Sequence, residues 1–168
     1  MDIYLQILVG LLFFQYFLLA SYENFLDYMN LQRYLSIIIS VLTIFPIYFL
    51  CVKFVGEKSA LVGATLFVVD PRIITNSILG ITDASFIFLV ATTLLFTLSK
   101  NNKLIYASFG LAALSAIVRY EGLLLIIPLS IVVFLKFKKD LKIIPKYLVA
   151  IFIFLIIIVP MGYIRVDT

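Results

Sequence analysis

The stretch NSILGITDASFIFLV, residues 76–90, is the most informative part of the chain, because the carboxylate of Asp83 stands directly before a run that is apolar enough to lie in a membrane. Thr82 or Asp83 can cap a helix that begins here, and a carboxylate is favoured at the positive end of the helix dipole. Two interpretations of Asp83 follow. It is a helix cap only, or it is a site carboxylate that accepts a proton or orients a substrate or metal.

The rest of the chain is equally apolar, since 64% of its 168 residues are hydrophobic, among them 16 Phe and 10 Tyr. A soluble domain of this length could not bury so much apolar surface. Several stretches approach the roughly 20 apolar residues that cross a bilayer, and backbone groups in lipid must be satisfied within a helix. The sequence therefore predicts an all-α, polytopic transmembrane helical bundle of about six or seven membrane helices, in a single domain over residues 1–168.

The third membrane span is the least regular of the predicted helices. Asp70 and Pro71 indicate a break, with Pro71 suited to a first helical turn. The apolar part before Asp70 covers only about 18 Å, so the span either continues to residue 76 or ends at Asp70 and leaves 71–82 as a structured loop. The many small residues of YASFGLAALSAIV, residues 106–118, predict close helix packing. We expect helices over about 3–20, 34–52, 58–76, 83–99, 104–119, 122–137 and 146–164.

Residue types exclude several kinds of chemistry. The chain has no His and a single Cys, Cys51, which excludes an internal disulfide, His/Cys zinc sites of ordinary spacing and Ser-His-Asp or Cys-His nucleophiles. Neither a P-loop nor a GxGxxG motif is present. Carboxylates, Arg, Lys, Tyr and backbone groups remain, and we expect no resident cofactor.

Charge placement predicts the orientation of the chain. With the helices threaded alternately from an inner N-terminus, all nine Lys fall in inner loops, and all four Arg and six of the nine acids fall outside. This fits the positive-inside rule and predicts a multi-pass protein of the cell membrane whose Lys-rich loops are cytoplasmic. The stretch KFKKDLKIIPK, residues 136–146, should lie on anionic headgroups, so we expect membrane lipid as a partner and no nucleic acid.

The outer arginines suggest a ligand. A guanidinium fork binds phosphate or carboxylate bidentately, so an outer face that combines Arg with acids suits a phosphate-bearing ligand. The alternative is that Arg and acid neutralise each other at the headgroups. In IVRYEGLLLIIP, residues 117–128, either Arg119 binds a phosphate, or it snorkels beside a tight turn at Gly122. Glu23 and Asp27 share a helix face, as a solvated pair or as a base and its orienter.

The order of these features resembles a known family. Two stretches carry the family's features, which are an R-x-x-S, a short inner loop, a Pro, an Asp that opens a helix and the next pair of helices. These stretches are RYLSIIISVLTIFPIYFLCVKFVGEKSALVGATLFVVDPRIITNSILGITDASFIFLVATTLLF, residues 33–96, and LAALSAIVRYEGLLLIIPL, residues 111–129. Over roughly residues 30–135 the chain resembles the GT-C superfamily of membrane glycosyltransferases, in the branch of protein mannosyltransferases and aminoarabinose transferases.

The resemblance implies transfer of a sugar from a polyprenyl-phosphate donor on the extracytoplasmic face, with inversion at the sugar. By position, Asp83 matches the family's second-loop Asp near the active site, and Arg119 and Glu121 match an outer-end polar cluster. We therefore predict Asp83 and Glu121 as catalytic residues, and Arg72, Arg119 and Tyr120 as substrate-binding residues. The lipid-linked sugar is the donor substrate, and dependence on a divalent metal is left open.

The chain departs from the family where the main catalytic carboxylate is expected, because residues 21–33 contain no adjacent acidic pair. Residues 3–20 match either the family's first span with a shortened loop or, as we favour, the surface segment before the second span. We then expect the first helix and its loop to be absent, supplied by a second chain or lost, and the later helices to be absent too.

Two classes of function remain. The chain is a partial or degenerate glycosyltransferase, or it is a non-catalytic polytopic membrane protein that packs as a subunit with partner membrane proteins. A small transporter ranks last, because the spans offer only isolated Ser, Thr and Gln. The residue types are compatible both with an enzyme and with a non-catalytic subunit.

Overall fold

The structure, a computed structural model, describes residues 25–80, 82–136 and 143–166, and all regular structure in these ranges is helical. The predicted all-α class is therefore confirmed. A 3-10 segment, Tyr120–Leu125, leads into the sixth of seven α-helices. These are α1 Phe25–Val55, α2 Glu57–Val68, α3 Pro71–Leu79, α4 Asp83–Thr97, α5 Asn102–Val118, α6 Ile126–Lys136 and α7 Ile143–Val166.

Most helix positions agree with the prediction to within a few residues. The main exception is α1, which begins at Phe25 and not near residue 34. Its first residues, FLDYMNLQR, are polar enough to resemble a loop but contain no Gly or Pro to interrupt a helix. The helix predicted over 3–20 lies outside the described residues.

The third span differs from both sequence interpretations. α2 ends at Val68, and a second helix, α3, follows at an angle of 49°. The Asp70 carboxylate accepts a hydrogen bond from the backbone N–H of Arg72 at 2.8 Å, and Pro71 occupies the first helical position. The predicted break at Asp70 is thus confirmed, but the predicted loop over 71–82 is wrong, because this cap and Pro71 start a new helix.

Helix length supports fewer spans than the sequence predicted. Among the described residues, Met29–Val55 is long and apolar enough to cross a bilayer, with a mean hydropathy of 2.5, and α2 with α3 adds a second span if the bent pair counts as one. Asp83–Thr97, Asn102–Val118 and Tyr147–Val159 are apolar but shorter. The predicted six or seven membrane helices are therefore not confirmed by length and composition.

The core forms around α5, as its small residues predicted. Phe109, Ala112 and Ala113 of α5 are fully buried, and side chains of α6 and α7 complete the cluster: Leu129, Val133, Ala150 and Phe154. α4 packs against both α5 and α1. Small side chains let these backbones approach closely, which increases van der Waals contact. α4 is thereby fixed between two neighbours.

The two ends of α4 have different chemistry. At its C-terminal end, Lys53 of α1 donates to the carbonyl of Leu95 at 3.0 Å, and Lys136 of α6 donates to the carbonyl of Ser99. At its N-terminal end, about 21 Å away along the helix axis, Asp83 faces Arg119. Lysines that the charge pattern placed on one side therefore gather at one end, and an Arg–acid cluster lies at the other.

Candidate functional site

Asp83 is the first residue of α4, but its carboxylate turns to side chains of other elements. Its Oδ2 accepts a hydrogen bond from Asn76 Nδ2 of α3 at 2.7 Å, and its Oδ1 forms an ion pair with Arg119 Nη1. Thr82, at the N-cap position, makes no capping hydrogen bond with its side chain. The interpretation of Asp83 as a helix cap only is therefore wrong.

Arg119 lies at the junction between α5 and the 3-10 segment and is held from three directions. One edge of its guanidinium contacts Glu121 bidentately, with Nη2–Oε1 at 3.1 Å and Nε–Oε2 at 3.3 Å. Nη1 pairs with Asp83, and the group lies 5.6 Å from the centre of the Phe86 ring, within the range of a cation–π contact. Arg119 is thus an ion-paired residue and does not simply snorkel.

Gly122 allows the turn that brings Arg119 and Glu121 together. Its N–H donates to the carbonyl of Arg119 at 2.9 Å, and the residue is buried against the last turn of α5. A Cβ at this position would lie 2.5 Å from the backbone of Ser115 and of Ala116. Because backbone atoms cannot move aside as a flexible side chain can, only glycine fits this close approach.

Replacing Gly122 by alanine should therefore displace the turn. We expect Gly122→Ala to lower the free energy of unfolding by roughly 2 kcal/mol, the usual scale for overpacking, measured by thermal unfolding in detergent. The matched control is Gly110→Ala on α5, whose Cβ would meet Ile157 and Ile153 side-chain atoms at 3.6 and 3.7 Å, an ordinary contact distance. Equal stability of the two variants would contradict this account of the turn.

The cluster carries two carboxylates against one guanidinium. The side chains of Arg119, Asp83 and Glu121 are 38%, 25% and 36% exposed, so the cluster is open to solvent on one side. The pKa of Glu121 lies below its ordinary value, first because its own backbone N–H donates to the carboxylate and then because Arg119 does. Glu121 is therefore ionised at neutral pH and is a poor proton donor.

A small cleft lies beside the cluster, where α1, α2, α3 and α4 meet. Asp83 and Asn76 form its polar wall, and the remaining lining residues are Ser40, Thr43, Phe67, Ile73, Ala84 and Ile87. Ser77 of α3 donates to Ser40 of α1 at 2.9 Å and fixes the spacing of these helices. The arrangement puts a carboxylate that can accept a proton next to a guanidinium that can bind a phosphate oxygen.

The family model for dolichyl-phosphate-mannose-protein mannosyltransferase matches residues 12–164, a range that includes the whole cluster. The chain belongs to this mannosyltransferase family. The resemblance to protein mannosyltransferases is thereby confirmed, and the family identifies a membrane protein of the glycosyltransferase type. No curated protein and no solved structure matches the chain.

The structure brings three of the five predicted site residues of this mannosyltransferase-family chain together: Asp83, Arg119 and Glu121. Arg72 is exposed in the first turn of α3, and none of the ion pairs within the described residues includes it. Tyr120 is 74% exposed beside Arg119. Within these same ranges, no group of three or more Cys, Asp or Glu could hold a metal ion.

Sequence reasoning missed two members of the cluster, Asn76 and Phe86. Asn76 is a lone amide inside α3, and only the turn after α3 brings it to Asp83. Phe86 lies three residues after Asp83, on the same face of α4, which was a usable signal. The paired carboxylates considered at Glu23 and Asp27 fall on residues whose side chains are not described.

Proposed function

We propose that this chain is a membrane glycosyltransferase, or part of one, that transfers a sugar from a polyprenyl-phosphate donor to an acceptor hydroxyl on the extracytoplasmic face. The observation that carries the proposal is the Asp83–Arg119 pair, which places a carboxylate beside a phosphate-binding group at the end of α4 away from the lysines. Membership of the mannosyltransferase family supports the reaction class and favours mannose as the sugar.

In the proposed reaction, the acceptor oxygen attacks the anomeric carbon from the face opposite the phosphate, so the configuration inverts. A new carbon–oxygen bond forms, the bond to the phosphate oxygen breaks, and the phosphate leaves with the electron pair. Asp83 accepts the acceptor's proton, since each carboxylate oxygen keeps a second lone pair beside its present partner. Arg119 stabilises the charge that develops on the leaving phosphate.

The other predicted residues have more peripheral roles in this proposal. Arg72 and Tyr120 are exposed, so both are available to a long lipid substrate, and we keep them as proposed contacts. Glu121 was predicted as a catalytic residue. Its bidentate contact instead favours an electrostatic role at the guanidinium of Arg119, outside the bond changes.

The proposal requires the cluster to face outward and the lysines to face the cytoplasm. With Cys51 replaced by Ser, we expect a membrane-impermeant thiol reagent added to intact cells to label Tyr120→Cys and to leave Lys100→Cys unlabelled until the membrane is permeabilised. Both positions are exposed, so accessibility on the protein is matched. Labelling of Lys100→Cys alone in intact cells would leave the proposed site on the wrong side.

The reaction itself is tested with purified protein. We expect the chain in liposomes to transfer labelled mannose from a polyprenyl-phosphate donor to a hydroxyl-bearing peptide or lipid acceptor. If it is inactive alone, co-expression with a membrane chain that carries an acidic first loop should restore transfer. Inactivity under both conditions would favour the alternative of a non-catalytic subunit that packs with partner membrane proteins.

A further inference from the structure

We propose that Glu121 is an internal competitor for the phosphate site: its carboxylate occupies the guanidinium edge of Arg119 that a lipid phosphate takes, and it leaves when the phosphate binds. The phosphate as ligand rests on the proposed function; the competition rests on the contacts of Glu121. Glu121 then controls how tightly the site holds phosphate and takes no part in the bond changes themselves.

The geometry of the pair supports the competition. A guanidinium offers its Nε–Nη2 edge to two oxygens of one planar or tetrahedral anion, and Glu121 fills this edge with both carboxylate oxygens. Asp83 takes Nη1. An incoming phosphate therefore gains a bidentate contact at the Nε–Nη2 edge only by displacing Glu121.

Of the two carboxylates, Glu121 is the one that can be exchanged. It is the more exposed of the two, and its contacts of 3.1 and 3.3 Å are longer than the roughly 2.7–2.9 Å of a strong charge-assisted hydrogen bond. Asp83 is also held by Asn76 at 2.7 Å from a different helix, whereas the second partner of Glu121 is its own backbone N–H, which ties the carboxylate to no other element. The side chain of Glu121 can swing outward while the hydrogen bond from Gly122 to Arg119 preserves the turn.

Charge makes the exchange favourable. Water screens an ion pair that is open to solvent, so such a pair contributes little to stability, and little is lost when Glu121 leaves. A phosphate brings at least the same charge with more acceptor oxygens, and the monoester product carries more negative charge than the diester donor. A site without a competitor would therefore retain the monoester product. The return of Glu121 to Arg119 promotes release of that product.

The test measures binding of a short-chain polyprenyl phosphate, in detergent and without any sugar, to the intact chain and its variants. We expect Glu121→Gln to lower the dissociation constant about fivefold to tenfold, the scale of one charge-assisted contact. Glu121→Asp keeps the charge but withdraws the carboxylate by one methylene, so it should tighten binding as well. The control Glu57→Gln removes a carboxylate from the first turn of α2 and should leave binding unchanged.

The outcomes separate this inference from the proposed function. Tighter binding by both Glu121 variants supports the competition, and transfer that becomes more sensitive to inhibition by added polyprenyl phosphate supports it further. Unchanged or weaker binding by both variants, or no binding by any protein, overturns it. Tighter binding by both Glu121 variants in a protein that transfers no sugar, either alone or with the co-expressed chain, would overturn the proposed reaction and leave the competition standing.

Discussion

Sugar transfer by Arg119→Ala should fall about a hundredfold to a thousandfold, the scale on which a preorganised group stabilises a developing charge. The substitution removes the group that contacts Asp83, Glu121 and the Phe86 ring at once. It also leaves the carboxylates of Asp83 and Glu121 without their shared cation, and it leaves the donor phosphate without a guanidinium to neutralise it. Initial rates of transfer from a labelled polyprenyl-phosphate sugar measure the effect, with expression and unfolding temperature recorded in parallel.

Two further variants identify the cause of that loss. Arg33→Ala removes an exposed guanidinium from α1, near Gly80 at the same end of the bundle, and should transfer at the wild-type rate. Arg119→Lys keeps the charge but loses the planar fork, so we expect partial activity. Full transfer by Arg119→Ala would remove Arg119 from the mechanism.

Asp83→Asn should lower transfer by about a hundredfold to ten thousandfold, the usual contribution of a positioned base. The amide has nearly the shape of the carboxylate, so packing at the start of α4 is preserved. It cannot take the acceptor's proton, however, and it no longer balances the charge of Arg119. The measurement is the rate of transfer at saturating donor, where weaker binding of the donor no longer contributes.

The matched control for this substitution is Asp70→Asn. Asp70 caps α3 through the backbone N–H of Arg72, and Asn caps a helix about as well as Asp. We therefore expect wild-type stability and wild-type transfer from this variant. Wild-type transfer by Asp83→Asn would show that the cluster is a structural ion pair only.

Several features of this protein could be derived from residue types alone. The all-helical class follows from an apolar composition, because lipid offers no hydrogen-bond partner to the backbone. The helix start at Asp83 and the break at Asp70 follow from a carboxylate or a proline at a helix N-terminus. The buried surface of α5 follows from its small residues, since only such side chains let helices come close.

The candidate site could be assembled only in part from the sequence. Asp83, Arg119 and Glu121 were identifiable as charges beside apolar spans, because ionic groups are costly there unless they have partners. Their pairing was not identifiable. Arg119 follows α5 whereas Asp83 begins α4, and Asn76 reaches Asp83 only because α3 begins a new direction after Asp70.

The helices themselves explain why their boundaries could be predicted from the sequence and the contacts between them could not. α4 and α5 are apolar on nearly every face, so no periodicity in the sequence marks which side chains turn toward a neighbour. Residue chemistry fixed where helices begin, where they break and which charges need partners. The packing of α1, α4 and α5 decided which faces meet, and through that choice it selected the ion pair, the ring contact and the close turn at Gly122.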